Sequence, residues 1–424
     1  MATAIKTDIL NAFLDKIDES NFSSLKEKAQ QRLRETGLPG IKDEEYKFTS
    51  ILRKIEKSIE NFSCAAASEL SEEDVQESLP QGFSGDYLVI NNGKPELNLS
   101  KISSQHYKVT LLSEAENQTL GSIAKIEKDP FTALNSASFA DGLSISVDKN
   151  SKIEQPIFIL LFNKANQGEV INSRLLIEIG ENAEVSFLEN TISLDERAYF
   201  ANQVVEVKAS PNSQTKYAKL QNESRNAITV NNFETDIHRD AVFTSTVISL
   251  NGDMVRNNLS LNLLDSGCEG NMYGLYLLNG KTHVDNHTNV DHTKPHAESN
   301  ELYKGILTDS SRGVFNGKIF VRQDAQKTNA FQQNNNILLS EDATINTKPQ
   351  LEIWADDVKC SHGCTTGQLD EEALFYLQAR GLGRDQARGF LLYAFAGEIM
   401  EYISDDSFRQ QVIDLVQERL GSQI

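Results

Sequence analysis

Cysteine, positive charge and long apolar runs are all scarce in this chain of 424 residues. Four cysteines, at positions 64, 268, 360 and 364, are too few and too unevenly placed for a disulfide framework, so reduced thiols are expected. Apolar runs such as Ile157 to Phe162 fall far short of the roughly 20 residues that a membrane-spanning helix needs. The start, Met1-Ala2-Thr3-Ala4-Ile5-Lys6-Thr7-Asp8, has neither the basic flank nor the apolar core of a secretion signal, and a cytoplasmic location is expected. Bases number 41 against 61 acids, a net charge of −20 with no basic patch, which argues against nucleic acid as a partner. Catalytic signatures are missing too: there is no GxSxG elbow, no kinase set and no HExxH. The run Gly274-Leu275-Tyr276-Leu277-Leu278-Asn279-Gly280-Lys281-Thr282 ends like a phosphate loop, but the glycine required five places before Gly280 is Leu275. Bulky Tyr276, Leu277 and Leu278 would also fill the space where backbone amides cradle phosphate.

What is present is ordinary in bulk, 39% hydrophobic and 24% charged, and falls into three zones. Residues 1–128 read as helical and mixed. Ile5, Ile9, Phe13 and Ile17 share a helix face, as do Phe22, Leu25, Ala29 and Leu33; Gly37-Leu38-Pro39-Gly40 breaks the pattern. Further helices are expected at Ile51 to Phe62 and Leu112 to Ile126, with a strand at Tyr87 to Ile90. Residues 129–365 carry short β runs bounded by Asn, Asp, Ser or Gly, among them Leu143 to Val147, Leu175 to Ile179 and Val242 to Leu250. Leu259, Leu261 and Leu263 alternate with polar residues, and no helix-period stretch intervenes, so a βαβ reading fails and a mainly β body is left.

A faint internal echo, Gly180-Glu181-Asn182-Ala183-Glu184-Val185 against Ser340-Glu341-Asp342-Ala343-Thr344-Ile345, suits the reused corners of a parallel β-helix, as do asparagine runs such as Asn334-Asn335-Asn336. A sandwich or barrel explains the alternation equally well. Residues 366–424 return to helix: Asp370 can cap it, Gly381 can stop it, and Asp385 to Ile403 is apolar on two sides and so wants two partners.

Two constellations could carry chemistry. Four of the seven histidines lie between His283 and His296. If this stretch is extended, His283, Asp285, His287 and Asn289 share one face, and the two histidines stand roughly 13 Å apart, too far to hold one ion together. A hydrogen-bonded face for strand pairing or subunit contact is the expectation, with a zinc metalloprotein as the rival. The second constellation is Lys359-Cys360-Ser361-His362-Gly363-Cys364. Cys360 and His362 on a strand point to the same side about 6.6 Å apart. Cys364 joins them if the strand continues, although Gly363 favours a bend. Two donors fall short of a closed zinc site, which leaves strand-end packing or a site completed across an interface. Cys64 and Cys268 read as packing residues.

The run Asp356-Asp357-Val358-Lys359-Cys360-Ser361-His362-Gly363-Cys364, continuing into Leu374-Phe375-Tyr376-Leu377-Gln378-Ala379-Arg380-Gly381, resembles the C-terminal signature of the SufB/SufD family of iron–sulfur cluster assembly proteins, its SufD branch more than its SufB branch. Thr36-Gly37-Leu38-Pro39 with Glu45-Tyr46-Lys47-Phe48-Thr49 is similar to the family's N-terminal pattern, and Tyr303-Lys304-Gly305-Ile306-Leu307 to its internal strand. The resemblance implies a right-handed parallel β-helix flanked by helical regions, and a non-enzymatic scaffold. It implies pairing with SufB through the β-helix and docking of the SufC ATPase on the C-terminal helices. No cofactor is implied to bind tightly; Cys360 and His362 would lie at the SufB interface, with His362 a donor to transient iron or a cluster. No role carries over to Cys364. A homodimer of the isolated chain, the iron donor and any flavin stay open. A stand-alone carbohydrate-active β-helix is the remaining rival.

Overall fold

The computed structural model describes residues 10–17, 21–58, 62–115, 119–164, 166 and 168–421. Strands dominate. From Leu143–Val147 onward, successive strands alternate between two sheets and every neighbour within a sheet runs parallel. The result is a parallel β-solenoid of about eight turns, in which each turn contributes one strand to either sheet. One sheet ends in Arg312–Val321 and Thr344–Ile353, the other in Asn329–Leu338 and Lys359–Gly367.

Period-2 side-chain alternation divides each sheet into an inner and an outer row. Inner residues stack in columns. Leu143, Leu175, Val205, Phe233 and Leu259 succeed one another in register across the first sheet, and all belong to the central core. Corners are shaped by left-handed asparagines: Asn150, Asn182 and Asn212 have φ of 58°, 58° and 59°. Their side-chain amides bond in a ladder, Asn182 to Asn150 and Asn212 to Asn182, each at 2.7 Å. Asparagine tolerates this conformation because its short polar side chain finds local partners. The echo between Gly180 and Ser340 is real corner geometry, since Ala183 and Ala343 both face the core just before a strand. The run at Asn334 is not a corner. It lies within Asn329–Leu338, where Asn334 and Asn336 point inward to the Tyr276 hydroxyl.

The two sheets are covered by different material. Helices Arg384–Met400 and Asp406–Leu420 pack Leu392, Ala396, Ile399, Phe408, Val412 and Val416 on the outer row of the second sheet, against residues such as Leu220, Ile248, Leu275 and Ile306. Asp370 and Asp405 cap the first and last helices of the tail by accepting backbone N–H bonds, and Gly381 turns at φ 95°. N-terminal helices Ser23–Thr36 and Ile51–Ser58, with Pro130–Ser138, lie against the first sheet. Ile5 and Ile9 lie outside the described residues.

The helix expected over Leu112 to Ile126 is not formed among the described residues of that stretch, which are turns. Backbone amides of Gly121, Ile123 and Ala124 donate instead to the Glu206 carboxylate, itself paired with buried Arg174 at 2.5 Å. A helix would consume those donors internally.

Candidate functional site

The solenoid begins and ends differently. At its start the sheets close on short antiparallel strands, Lys94–Pro95 and Tyr107–Leu111. Its last strands, Thr344–Ile353 and Lys359–Gly367, have no strand beyond them among the described residues, and their side chains are half-buried or exposed. Cys360, His362 and Cys364 all lie on this final strand.

Register settles which way they face. Cys360 pairs with Ala330, His362 with Gln332 and Cys364 with Asn334, three buried inner-row residues, and Cys360 packs against the central core. Ser361 pairs with Phe331, which is exposed on the outer row. The strand continues through Gly363, so Cys364 joins the row, contrary to the bend that Gly363 suggested. Gly363 has open space around it and makes no close approach. Three soft donors therefore line one inner row at the open end, where a second chain can reach them. Burial pushes the Cys360 thiol up from its ordinary pKa, favouring the protonated form.

The column ending at His362 runs Ile157, Phe187, Tyr217, Ser245, Met272, Glu301, Gln332. It changes from apolar to polar toward the open end. Glu301 is fully buried with no cation beside it, and that burial raises its carboxyl to about 7. Gln332 Nε2 donates to it at 2.6 Å, and Thr288 of the facing sheet also acts on it. Sequence reasoning missed Glu301 because the surrounding strand, Glu298–Leu307, carries polar residues on both rows; the available signal was that Glu301 shares parity with Tyr303. On the other side of this sheet Tyr273 and Tyr402 stack at 3.4 Å beside Phe331 and Ser361, walling a groove of 420 Å3.

The histidine cluster is divided by the same alternation. His283, Asp285 and His287 lie on the outer row of the first sheet, His292 on the inner row, and His296 in a corner with φ 63°. No group of three or more His, Cys, Asp or Glu suited to a metal ion occurs among the described residues. His283, Asp285 and His287 share one side and are engaged by Thr49, Arg256 and Glu45, while His292 points to the other. His292 bonds Ser299 at 2.9 Å, and burial lowers its imidazole to about 4.

The outer residues grip residues 44–49 of the same chain. Thr49 hydrogen-bonds to His283 at 3.1 Å and donates to Asp285. Arg256 donates to Asp285 at 2.7 Å and to the Glu45 carbonyl at 2.8 Å, while its guanidinium lies over the Tyr46 ring at 3.9 Å. His287 stands between Asp285 at 3.0 Å and Glu45 at 3.4 Å, and Lys318 and Lys348 hold Glu45 and Glu44. The His287 hydrogen bond and then Lys318 lower the Glu45 carboxyl to about 2. Burial alone would raise Asp285, yet His287 and Arg256 keep it well below the carboxylate range. The motif Glu45-Tyr46-Lys47-Phe48-Thr49 is thus a strap across the sheet, and the polar face expected at His283 serves contact within the chain.

Two other features fall into place. Cys268 is inert: it is buried, its thiol donates to the Asp265 carbonyl at 3.0 Å, and burial pushes it up to about 11. Gly280-Lys281-Thr282 is the corner between two strands, with no helix to receive a phosphate. On the tail, Phe375 and Tyr376 are 73% and 57% exposed, and Phe390 projects from the side of Arg384–Met400 away from the sheet. That two-sided helix finds its partners in the outer row of the second sheet and in the neighbouring helices Glu371–Ala379 and Asp406–Leu420. No helix among the described residues is long and apolar enough to cross a membrane.

Comparison with known proteins agrees with this geometry. Residues 161–395 match the SufBD core domain of the SUF system for FeS cluster assembly, and residues 9–159 match the SufBD N-terminal region. The chain is 30% identical to the iron-sulfur cluster assembly protein SufD of Escherichia coli over 92% of its length and 91% of the relative's. It is 30% identical to a SufBD family protein of Synechocystis over 86% of the chain and 84% of the relative, and 26% identical to SufD of Bacillus subtilis over 70% and 68%. With two family regions spanning most of its length and its likeness directed to SufD, the chain belongs to the SufB/SufD family of iron–sulfur cluster assembly proteins.

Proposed function

We propose that this chain is a non-enzymatic scaffold subunit of iron–sulfur cluster assembly, in the cytoplasm, whose open solenoid end meets a SufB subunit and whose C-terminal helices dock the SufC ATPase. One observation carries the reading: Cys360, His362 and Cys364 share an inner row on a final strand beyond which no strand lies among the described residues. A partner adding its own strands there would satisfy the exposed backbone edge and complete the ligand set in one step. Iron or a nascent cluster is then cargo, held between subunits by the His362 imidazole as neutral donor and Cys360 as thiolate, rather than a resident cofactor. The same edge can pair with a second copy when the chain is alone. Exposed Phe375, Tyr376 and Phe390 offer the apolar anchors that an ATPase subunit would bury.

Co-purification with candidate SufB and SufC partners tests the assembly, and a monomer indifferent to both would overturn it. His362→Ala is expected to leave fold and complex intact but to stop maturation of iron–sulfur enzymes in a strain that depends on this system.

A further inference from the structure

One interior column holds an acceptor without a hydrogen-bond partner among the described residues. Gln332 lies between Glu301 and His362, one strand from each. Its Nε2 donates to Glu301 Oε2 at 2.6 Å, which turns the carboxamide oxygen the other way. That Oε1 is buried and has no partner among the described residues. Native interiors rarely leave such an oxygen unpaired without a reason. The next side chain along the row is His362, about 4.8 Å away by strand spacing. Its imidazole has no hydrogen bond to any described side chain. A carboxamide held by its nitrogen beneath an unattached imidazole is half of a familiar arrangement: a metal-binding histidine donates the N–H of its other ring nitrogen to a carbonyl or carboxylate, which fixes both tautomer and ring direction.

Gly317 supplies the space. A Cβ there would stand 2.2 Å from Gln332 Nε2 and 2.7 Å from its carboxamide carbon, so any side chain at this position pushes the amide aside. Gly317 has no left-handed backbone to explain its presence. Its value lies in leaving room, from the facing sheet, for the Gln332 amide to lie against Glu301 on the adjacent strand.

We infer that Gln332, clamped by Glu301 and given room by Gly317, is a positioning residue for His362: its Oε1 accepts the imidazole N–H, and the other ring nitrogen faces the interface with its lone pair free for iron. This rests on the proposed role of His362. Neither Gln332 nor Glu301 touches the cargo; both act through the imidazole.

The test is anaerobic Fe(II) titration of the chain co-purified with its partner subunits. Gln332→Leu is expected to weaken Fe(II) binding about tenfold, the usual cost of losing such support, with complex formation and unfolding midpoint preserved. Gly317→Ala, which displaces the amide without removing it, is expected to act in the same direction. Glu301→Gln retains an acceptor for Gln332 Nε2 and is expected to keep wild-type affinity. His362→Ala loses the site, and adding Gln332→Leu to it should change nothing further, a non-additivity that general loosening of the interior would not produce. Wild-type affinity in both Gln332→Leu and Gly317→Ala, or an equal loss on adding Gln332→Leu in the His362→Ala background, overturns the inference while leaving the interface reading intact. Unchanged Fe(II) binding by His362→Ala alone overturns both.

Discussion

Two covers on one solenoid, the tail helices over the second sheet and the strap of residues 44–49 over the first, are held by different forces. Over the second sheet, the tail helices bury an apolar cluster that includes Leu392, Ile399, Phe408, Val412 and Val416. Over the first, the N-terminal helices bury an apolar cluster of their own, but residues 44–49 are fixed by Arg256, Asp285, His287, Lys318 and Lys348 around the Tyr46 ring. Two cavities, of 500 and 390 Å3, flank this strap. The lesson is that a repeated scaffold does not dictate how its faces are closed. An apolar cover is indifferent to pH and salt, whereas a charged one depends on ionisation and on desolvated pairs that are strong only while complete.

Mutation can break this contrast. The largest loss is expected from Phe408→Ala, which empties a fully buried site that meets Phe158 edge-on at 5.4 Å; urea unfolding should register about 3–5 kcal/mol. Asp285→Ala comes next, at about 3 kcal/mol, since it strands the buried Arg256 charge. Replacing Arg256 and Asp285 together by apolar residues should recover most of that loss, an outcome that no pair of substitutions in the helical cover would mimic. Tyr46→Phe removes the hydroxyl donor to Asp129 at 2.5 Å and should cost about 1 kcal/mol.

Acid separates the covers without mutation. Glu45 and Asp285 have lowered carboxyl pKa values, so their contribution is complete above the ordinary carboxylate range and is lost as pH falls from about 4.5 toward about 2. Hydrogen exchange at pH 3 should show amides of residues 44–49 opening while those of Asp406–Leu420 keep their protection. Equal protection of both segments would remove the distinction. The smallest effect is expected from Lys348→Ala, whose exposed pair with Glu44 should leave a denaturant midpoint almost unmoved.

How legible all this was in the sequence depends on where the polar residues point. The β body was readable because Leu259, Leu261 and Leu263 alternate with polar residues, and the tail because Asp370 and Gly381 signal its first helix. Leu112 to Ile126 misled because its apolar residues are buried one by one while its amides serve Glu206, a partner more than 80 residues away. Asn334 and Asn336 misled because interior amides bonded to Tyr276 look like turn residues. The pairing of Cys360 with His362 followed from strand parity alone, but that they face inward required knowing Ala330 and Gln332 as neighbours. Glu301 was invisible for the same reason: an inner row that grows polar near an open end has no periodic signature.

The blunt beginning of the solenoid also sets a stoichiometric ceiling. Lys94–Pro95 is only two residues long and carries a proline, so it cannot template a further strand, whereas the nine- and ten-residue strands at the far end can. Lateral addition through the second sheet is therefore available once per molecule. Two such molecules joined tip to tip leave that sheet no receptive edge, so it cannot propagate into a fibre.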